Sequence, residues 1–262
     1  MAKKNEDFCH ICGKYTELTF EHVPPKKAGN QTKVNEISGD IIIEAIANHK
    51  RLPWDLRGLK YKQKQKGMGR YTLCPPCNNN TGTWYGEEYI IFANTMAKLL
   101  ANEKPQPNMG ISFEINMKPL NVMKQILSFF CSINKYPLNE QLSEFILDKE
   151  SQNFNSDEFI LTMFLYVGNI QKYVGTSGLL HLSGSGNNQV DTTIVSEICS
   201  YPLGFCLYKK TGNMGKIIGT DISDFSMCIY DQDYRTKLSL PVLTSNSMFP
   251  HDYRLKNEFN IM

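Results

Sequence analysis

Two Cys-x-x-Cys pairs, Cys9/Cys12 and Cys74/Cys77, stand on either side of the dipeptide Glu21-His22, and Asn78 follows the last cysteine directly. Four thiolates in two such pairs suit a closed tetrahedral Zn²⁺ shell, with Zn–S distances of about 2.3 Å. Each pair can chelate from a single turn, so the 61 residues between Cys12 and Cys74 impose no separation of their own. An ion with four thiolate ligands has no open position and activates no water; its work is to scaffold. The chemistry falls to what it would hold together. That is a Glu, a His and an Asn (Glu21, His22 and Asn78), the parts a metal-dependent phosphodiesterase needs. A redox pair is the rival reading of each Cys-x-x-Cys. The second pair, the Pro75-Pro76 inside it and the lack of a βαβ frame around either count against that.

The elements that must position these residues can be read from the pattern. Residues 8–25 predict a zinc knuckle and hairpin, with Gly13 in the tight turn and Pro24-Pro25 ending the extended stretch. Helical spacing covers 35–48, and 57–71 reads as a basic loop or hairpin. Residues 78–86 read as a polar, flexible stretch with helix-capping Asn and Thr, and 87–101 as a helix with an apolar stripe. Pro, Asn and Gly cluster at 102–110, which predicts a zinc-stapled domain over 1–104 and an α+β accessory domain over 105–262. In the second part, helices are expected at 119–135 (apolar on one face) and 139–149. Strands follow at 159–168, 192–198, 203–210, 216–222 and 226–232, with Gly175–Gly186 as a loop. The fold class is α+β, with helices preceding a mainly antiparallel sheet.

The aromatic and aliphatic content supports a packed core and argues against disorder, since only 21% of residues are charged. No apolar run approaches the ~18 residues of a membrane span, and the N-terminus has no secretory h-region, so a cytoplasmic location with reduced thiols is expected. Cys131, Cys199, Cys206 and Cys228 then read as buried core thiols. Net charge is +2 but uneven: residues 1–90 carry 14 Lys/Arg against 10 Asp/Glu. Within them Lys60, Lys62, Lys64, Lys66 and Arg70 alternate with Tyr61, Gln63 and Gln65. On a strand this row would put the four lysines on one face, suited to a phosphate backbone. The same row also describes a lysine-protected strand edge. Lys26-Lys27 and His49-Lys50-Arg51 would extend the basic surface.

Together the segments CHICG, TFEHVPPK and TLCPPCNNNTG resemble the HNH (ββα-metal) endonucleases, in the branch with two Cys-x-x-Cys pairs typified by endonuclease VII-like resolvases. The resemblance covers roughly residues 8–85. It implies a ββα-metal domain that cuts DNA, with His22 as general base, Glu21 and Asn78 holding one Mg²⁺ or Mn²⁺, and 5′-phosphate and 3′-hydroxyl products. Three departures stand out. The family's middle Asn, which braces the loop of the His, falls on Gly69, so Gln63, Gln65 or backbone is expected to substitute. The 51 residues between His22 and Cys74 exceed the compact family interval, implying an inserted helix. Glu21 replaces the commoner Asp or His. Neighbours on a strand also point to opposite faces, so Glu21 and His22 can share a site only where the strand ends or bulges.

Residues 105–262 carry no recognisable catalytic pattern. Asp221, Asp224, Asp231 and Asp233 read as turn residues, His181 and His251 as structural, and His10 as outside a shell already complete. The accessory part is expected to bind a regulatory partner or ligand, or to target the nuclease. That architecture is shared by HNH-type effectors of antiphage defence. The reading from a different class is a non-catalytic zinc-knuckle module that binds nucleic acid or a protein.

Overall fold

In the computed structural model, residues 5–49, 57–106, 109–135, 140–168, 171–182, 190–212, 214 and 217–244 are described. Lys50, Arg51 and His251 of the sequence reading lie outside them, as do residues 183–186 of the Gly175–Gly186 stretch. The protein is mixed α+β, with a four-cysteine cluster near the N-terminus and helices preceding a large sheet in the C-terminal part.

The N-terminal part consists of short antiparallel pairs. Strands β1 (Glu6–Phe8) and β2 (Tyr15–Glu17) close the first cysteine knuckle. Strand β3 (Thr19–His22) pairs with β6 (Gly69–Leu73), far along the sequence. Between them β4 (Val34–Glu36) pairs with β5 (Lys62–Lys64), and α1 (Gly39–His49) is the inserted helix, starting later than its sequence pattern. Cys74 then caps α2 (Pro75–Thr81), with proline at the first helical position. Residues 78–86 are not a flexible linker. Helix α2 runs through a π turn at Gly82–Gly86 into α3 (Glu87–Glu103) without leaving helical backbone. A π turn disturbs the backbone ladder, and two partners secure this one. Asn121 Nδ2 donates to the Trp84 carbonyl at 3.0 Å, and the Tyr85 hydroxyl donates to the Ile146 carbonyl at 2.7 Å.

Three strands of the C-terminal part escaped the sequence reading. Strand β7 (Gly110–Met117) pairs with β13 (Tyr234–Leu243), so the two ends of the C-terminal part meet. Between them lie α4 (Pro119–Ile133), α5 (Glu140–Leu147), β8 (Phe159–Tyr166), β9 (Lys172–Leu182), β10 (Val190–Ser200), β11 (Leu203–Lys209) and the short β12 (Thr220–Asp221). The sheet runs β7-β13-β8-β11-β10-β9, with β12 beside β8; every pairing is antiparallel except β13 with β8. Residues 175–182, expected as loop, are strand. Residues 223–227, at the start of the last expected strand, form a 3-10 turn.

Helix α4 was expected to have one apolar face, yet every residue from Pro119 to Ser132 is buried. It contacts β6, α2 and α3 of the N-terminal part as well as β9 and β10 of the sheet. A helix covered on all sides must satisfy its polar side chains internally. Lys124 Nζ donates to the carbonyls of Asp148 (2.7 Å) and Lys149 (3.1 Å), and burial pushes its ammonium down to about 8. One apolar cluster thus runs from Cys9 and Leu73 through Phe129 to Phe205 and Leu240, on both sides of residue 104.

Candidate functional site

The four cysteine sulfurs lie within 4.8 Å of one another, the Cys12 and Cys74 sulfurs at 3.8 Å. Tetrahedral coordination at about 2.3 Å requires sulfur separations of this size. Backbone geometry builds the cluster. Gly13 adopts a left-handed φ of 67° and donates to the Cys9 carbonyl, while the Cys74 amide donates to the Cys9 sulfur at 3.3 Å. Hydrogen bonding by Cys77 draws the Cys9 thiol down to about 4, and burial pushes Cys74 up to about 11. One sulfur of the set thus gives up its proton readily. The set could hold a metal ion such as zinc, and no other group of three or more His, Cys, Asp or Glu among the described residues is arranged to do so.

The knuckle is locked to the helical layer. The His10 amide donates to the Thr72 carbonyl at 2.9 Å, and its Nδ1 donates to the Ser132 carbonyl at 3.0 Å. Thr72 and Ser132 share a hydroxyl hydrogen bond of 2.6 Å, and Ser143 donates to the Ile11 carbonyl. His10 is therefore a buttress between the cysteine cluster and α4.

Asn78, in the first turn of α2, donates from Nδ2 to Thr19 Oγ1 at 2.9 Å, and Thr19 donates on to the Leu73 carbonyl. Thr19 and Glu21 alternate on one face of β3, so Asn78 stands on the face that carries the Glu21 carboxyl. That carboxyl is half-buried, and burial pushes it up to about 7.

His22 lies on the opposite face. Its ring meets the edge-on ring of Phe20 at 4.8 Å, and Phe20 meets Tyr71 at 5.3 Å. The ladder bulges at Thr72 of β6, where Thr19 pairs with Leu73 and Phe20 with Tyr71, but Glu21 and His22 pair regularly with Arg70 and Gly69 and so alternate between the faces. Gly69, opposite His22, is there for space, since a Cβ would stand 2.6 Å from the Phe20 ring and closer still to the Glu21 carbonyl. The structure therefore brings Asn78 to the face of Glu21 but not to that of His22. No hydrogen bond joins any two of the three among the described residues.

His22 is held by a carbonyl. Its Nε2 lies 3.0 Å from the Lys66 oxygen, an acceptor only, so Nε2 carries the proton and Nδ1 keeps the lone pair of the neutral ring. Desolvation, with the charges of Lys26 and Lys66, holds this imidazole below its ordinary pKa.

The brace of this loop is Asn30, which the sequence reading missed. Gln65 donates to Gln63 at 2.7 Å and both are exposed, so they brace each other rather than the histidine. Asn30 is 2% exposed. Its Nδ2 donates to the carbonyls of Pro24 and Met68, both at 2.7 Å, and its Oδ1 accepts from the Met68 amide at 2.7 Å. It thereby ties the chain leaving His22 to the loop carrying the Lys66 carbonyl. Its neighbour Gly29, left-handed at φ 93°, was the only sequence-level hint of a turn there. Gly67 has a left-handed φ of 81° and approaches Asn30 so closely that a Cβ would collide. From the sheet, the Tyr173 hydroxyl donates to the Val23 carbonyl, one residue beyond His22.

The basic row is only partly a strand. Lys62–Lys64 form β5, while Lys60 precedes it and Lys66 lies in the following turn. Glu36 pairs with Lys64 at 3.3 Å and with Arg70 at 3.4 Å, so two of the five cations face an acid within the protein. Lys60, Lys62 and Lys66 are exposed. Elsewhere, Cys131, Cys199 and Cys206 are buried as expected and Cys228 partly so. Asp231 pairs with Lys118 at 2.7 Å, and Asp221 accepts from the Ser223 amide at 2.8 Å. No described helix is long and apolar enough to cross a membrane. Comparison of the chain with protein-family models, curated proteins and solved structures finds no match.

Proposed function

We propose that the chain is an HNH-type endonuclease that hydrolyses phosphodiester bonds in DNA, with β3, β6 and α2 as its ββα-metal unit. The observation that carries this reading is the 2.9 Å hydrogen bond from Asn78 to Thr19. It fixes the helix after the second cysteine pair to the strand of Glu21 and His22, and puts a carboxamide on the face of a carboxyl. The Asn78 oxygen and the Glu21 carboxylate are the groups that would hold Mg²⁺ or Mn²⁺. When bound, the cation supplies charge that stabilises the phosphoryl oxygens and the departing 3′ oxygen. Strand β3 ends at His22, so a phosphate at the strand end is open to both faces. From there His22 Nδ1 would take a proton from the attacking water as its oxygen bonds to phosphorus and the P–O3′ bond breaks, and the departing 3′ oxygen would take a proton from solvent water, leaving a 5′-phosphate and a 3′-hydroxyl. The cysteine cluster, holding zinc, sets the hairpin against the helix. The sheet beyond residue 104 serves as a control or targeting element, in keeping with a cytoplasmic antiphage effector.

The test is plasmid nicking with Mg²⁺ or Mn²⁺, wild type beside His22→Ala, with metal content and melting temperature matched. Cleavage by the wild type alone supports the nuclease; equal activity, or silence in both, sinks it. The opposite facing of His22 favours a second reading, a non-catalytic zinc-stapled module that binds nucleic acid. That reading expects unchanged DNA binding in His22→Ala and no cleavage by either protein.

A further inference from the structure

The solvent face of the β3–β6 pair is built unlike an ordinary sheet edge. Phe20, Tyr71 and His22 form a run of rings at edge-on angles of 73° and 76°. Tyr71 is 50% exposed. Apolar burial does not explain an open tyrosine here, because the core of this unit lies on the other face, under Leu73. Two exposed lysines lie at the His22 end of the run. Lys66 supplies the carbonyl that holds His22, and Lys26 opens the 3-10 turn just past Pro24-Pro25; the charges of both act on the imidazole. The acid of this neighbourhood, Glu36, is occupied by Lys64 and Arg70 and leaves Lys26 and Lys66 to the solvent side.

An open π surface with two ammonium groups at one end is complementary to one class of polymer: a strand whose exposed base is followed by a phosphate. In a duplex the bases are stacked on each other and their faces are closed. We infer that Tyr71, backed by Phe20, is a stacking site for an unpaired base of a DNA strand whose backbone runs on past His22 toward Lys26 and Lys66. This rests on the nuclease reading for its position beside the cut, and narrows it: the substrate carries at least one unpaired base there, as in a single strand, flap or mismatch. Stacking on an aromatic side chain contributes about 1–3 kcal/mol per base.

The experiment uses the full chain without added divalent cation, so that binding is read apart from cleavage. A 12-nucleotide DNA strand bearing one 2-aminopurine is titrated with protein, in parallel with its duplex and with the RNA of the same sequence. The expected result is quenching and tighter binding of the single DNA strand than of the duplex. Tyr71→Ala should weaken that binding about 5- to 100-fold, and Tyr71→Phe less than about 2-fold, with melting temperatures unchanged. Equal binding by Tyr71→Ala, a duplex bound as tightly as the strand, or Tyr71-dependent binding confined to RNA would each overturn the inference. Tyr71-dependent DNA binding in a protein that nicks nothing would overturn the nuclease reading and leave the stacking site standing.

Discussion

Asn30 holds Met68 from both sides of its peptide unit, accepting from the amide and donating to the carbonyl, both at 2.7 Å. A third bond to the Pro24 carbonyl joins the chain on either side of His22. Replacing Asn30 by Ala leaves these backbone groups without partners inside a buried loop. A loss of about 3 kcal/mol or more is expected from denaturant unfolding, at about 1–3 kcal/mol for each orphaned group. Asn30→Asp keeps the acceptor, loses both donors and should fall between. A loss below ~0.5 kcal/mol in Asn30→Ala would mean the loop is held elsewhere.

The two titrating groups on β3 are shifted in opposite directions. Glu21, pushed up to about 7 by burial, is protonated in the folded protein between its ordinary pKa and neutrality. Its favourable share of stability is present below pH ~4.3 and is lost as pH rises through 7. Glu21→Gln should therefore stabilise the protein at pH 8, without added divalent cation, by about 1–3 kcal/mol after discounting for its partial exposure, and change nothing at pH 4. Chemical melts at the two pH values decide this. His22 is shifted down, so the acid limb of any His22-dependent cleavage should lie below pH 6.5 unless Glu21 limits it. Glu21→Gln separates the two limbs where some activity survives.

Removing the metal should undo the knuckle first. Purified protein is expected to carry about one zinc per chain, since one set of four cysteines is arranged for it. After chelation, amide exchange protection should vanish at Cys9–Gly13 and Cys74–Asn78 while persisting in β8 and β11, whose contacts lie in the sheet. Metal-free protein with undiminished protection at both segments would refute the structural role.

The pair Lys172–Glu197, at 3.0 Å, is sealed in the sheet with side chains 1% and 0% exposed, and Cys199 donates to the same carboxylate at 3.2 Å. Taking away one charge strands the other in a medium that solvates it poorly. Lys172→Met alone should cost about 3–5 kcal/mol, and adding Glu197→Leu should recover most of it. Additive losses in the double variant would show that the charges are not coupled.

The resemblance to HNH nucleases rests on local spacing, and local spacing is what the chain states openly. Two Cys-x-x-Cys turns chelate wherever they are brought, so the cluster of Cys9, Cys12, Cys74 and Cys77 could be foreseen without knowing the path between them. Helices α3, α4 and α5 were legible too, because a 3.6-residue period is written within one segment. Strand β7 also carried its signal, Ile111, Phe113, Ile115 and Met117 alternating with polar residues, but it was obscured by the Pro-rich stretch before it. Pro241 disguised β13 and glycines disguised β9.

Tertiary structure alone decided the rest. Strand pairing is long-range, so nothing in Gly110–Met117 names Tyr234–Leu243 as its neighbour. The pairing of two distant strands put the bulge at Thr72 opposite Thr19 and Phe20 rather than at Glu21 and His22, so those two keep the separate faces of a regular strand. Asn30 became the brace because a turn eight residues past His22 folds back against Met68, which no spacing rule anticipates. Helix α4 is buried all round since two layers close over it, though its sequence marks only one face as apolar. The sequence determined which groups could do chemistry and how they chelate; the tertiary contacts determined which way each one points, because that depends on partners the local chain does not contain.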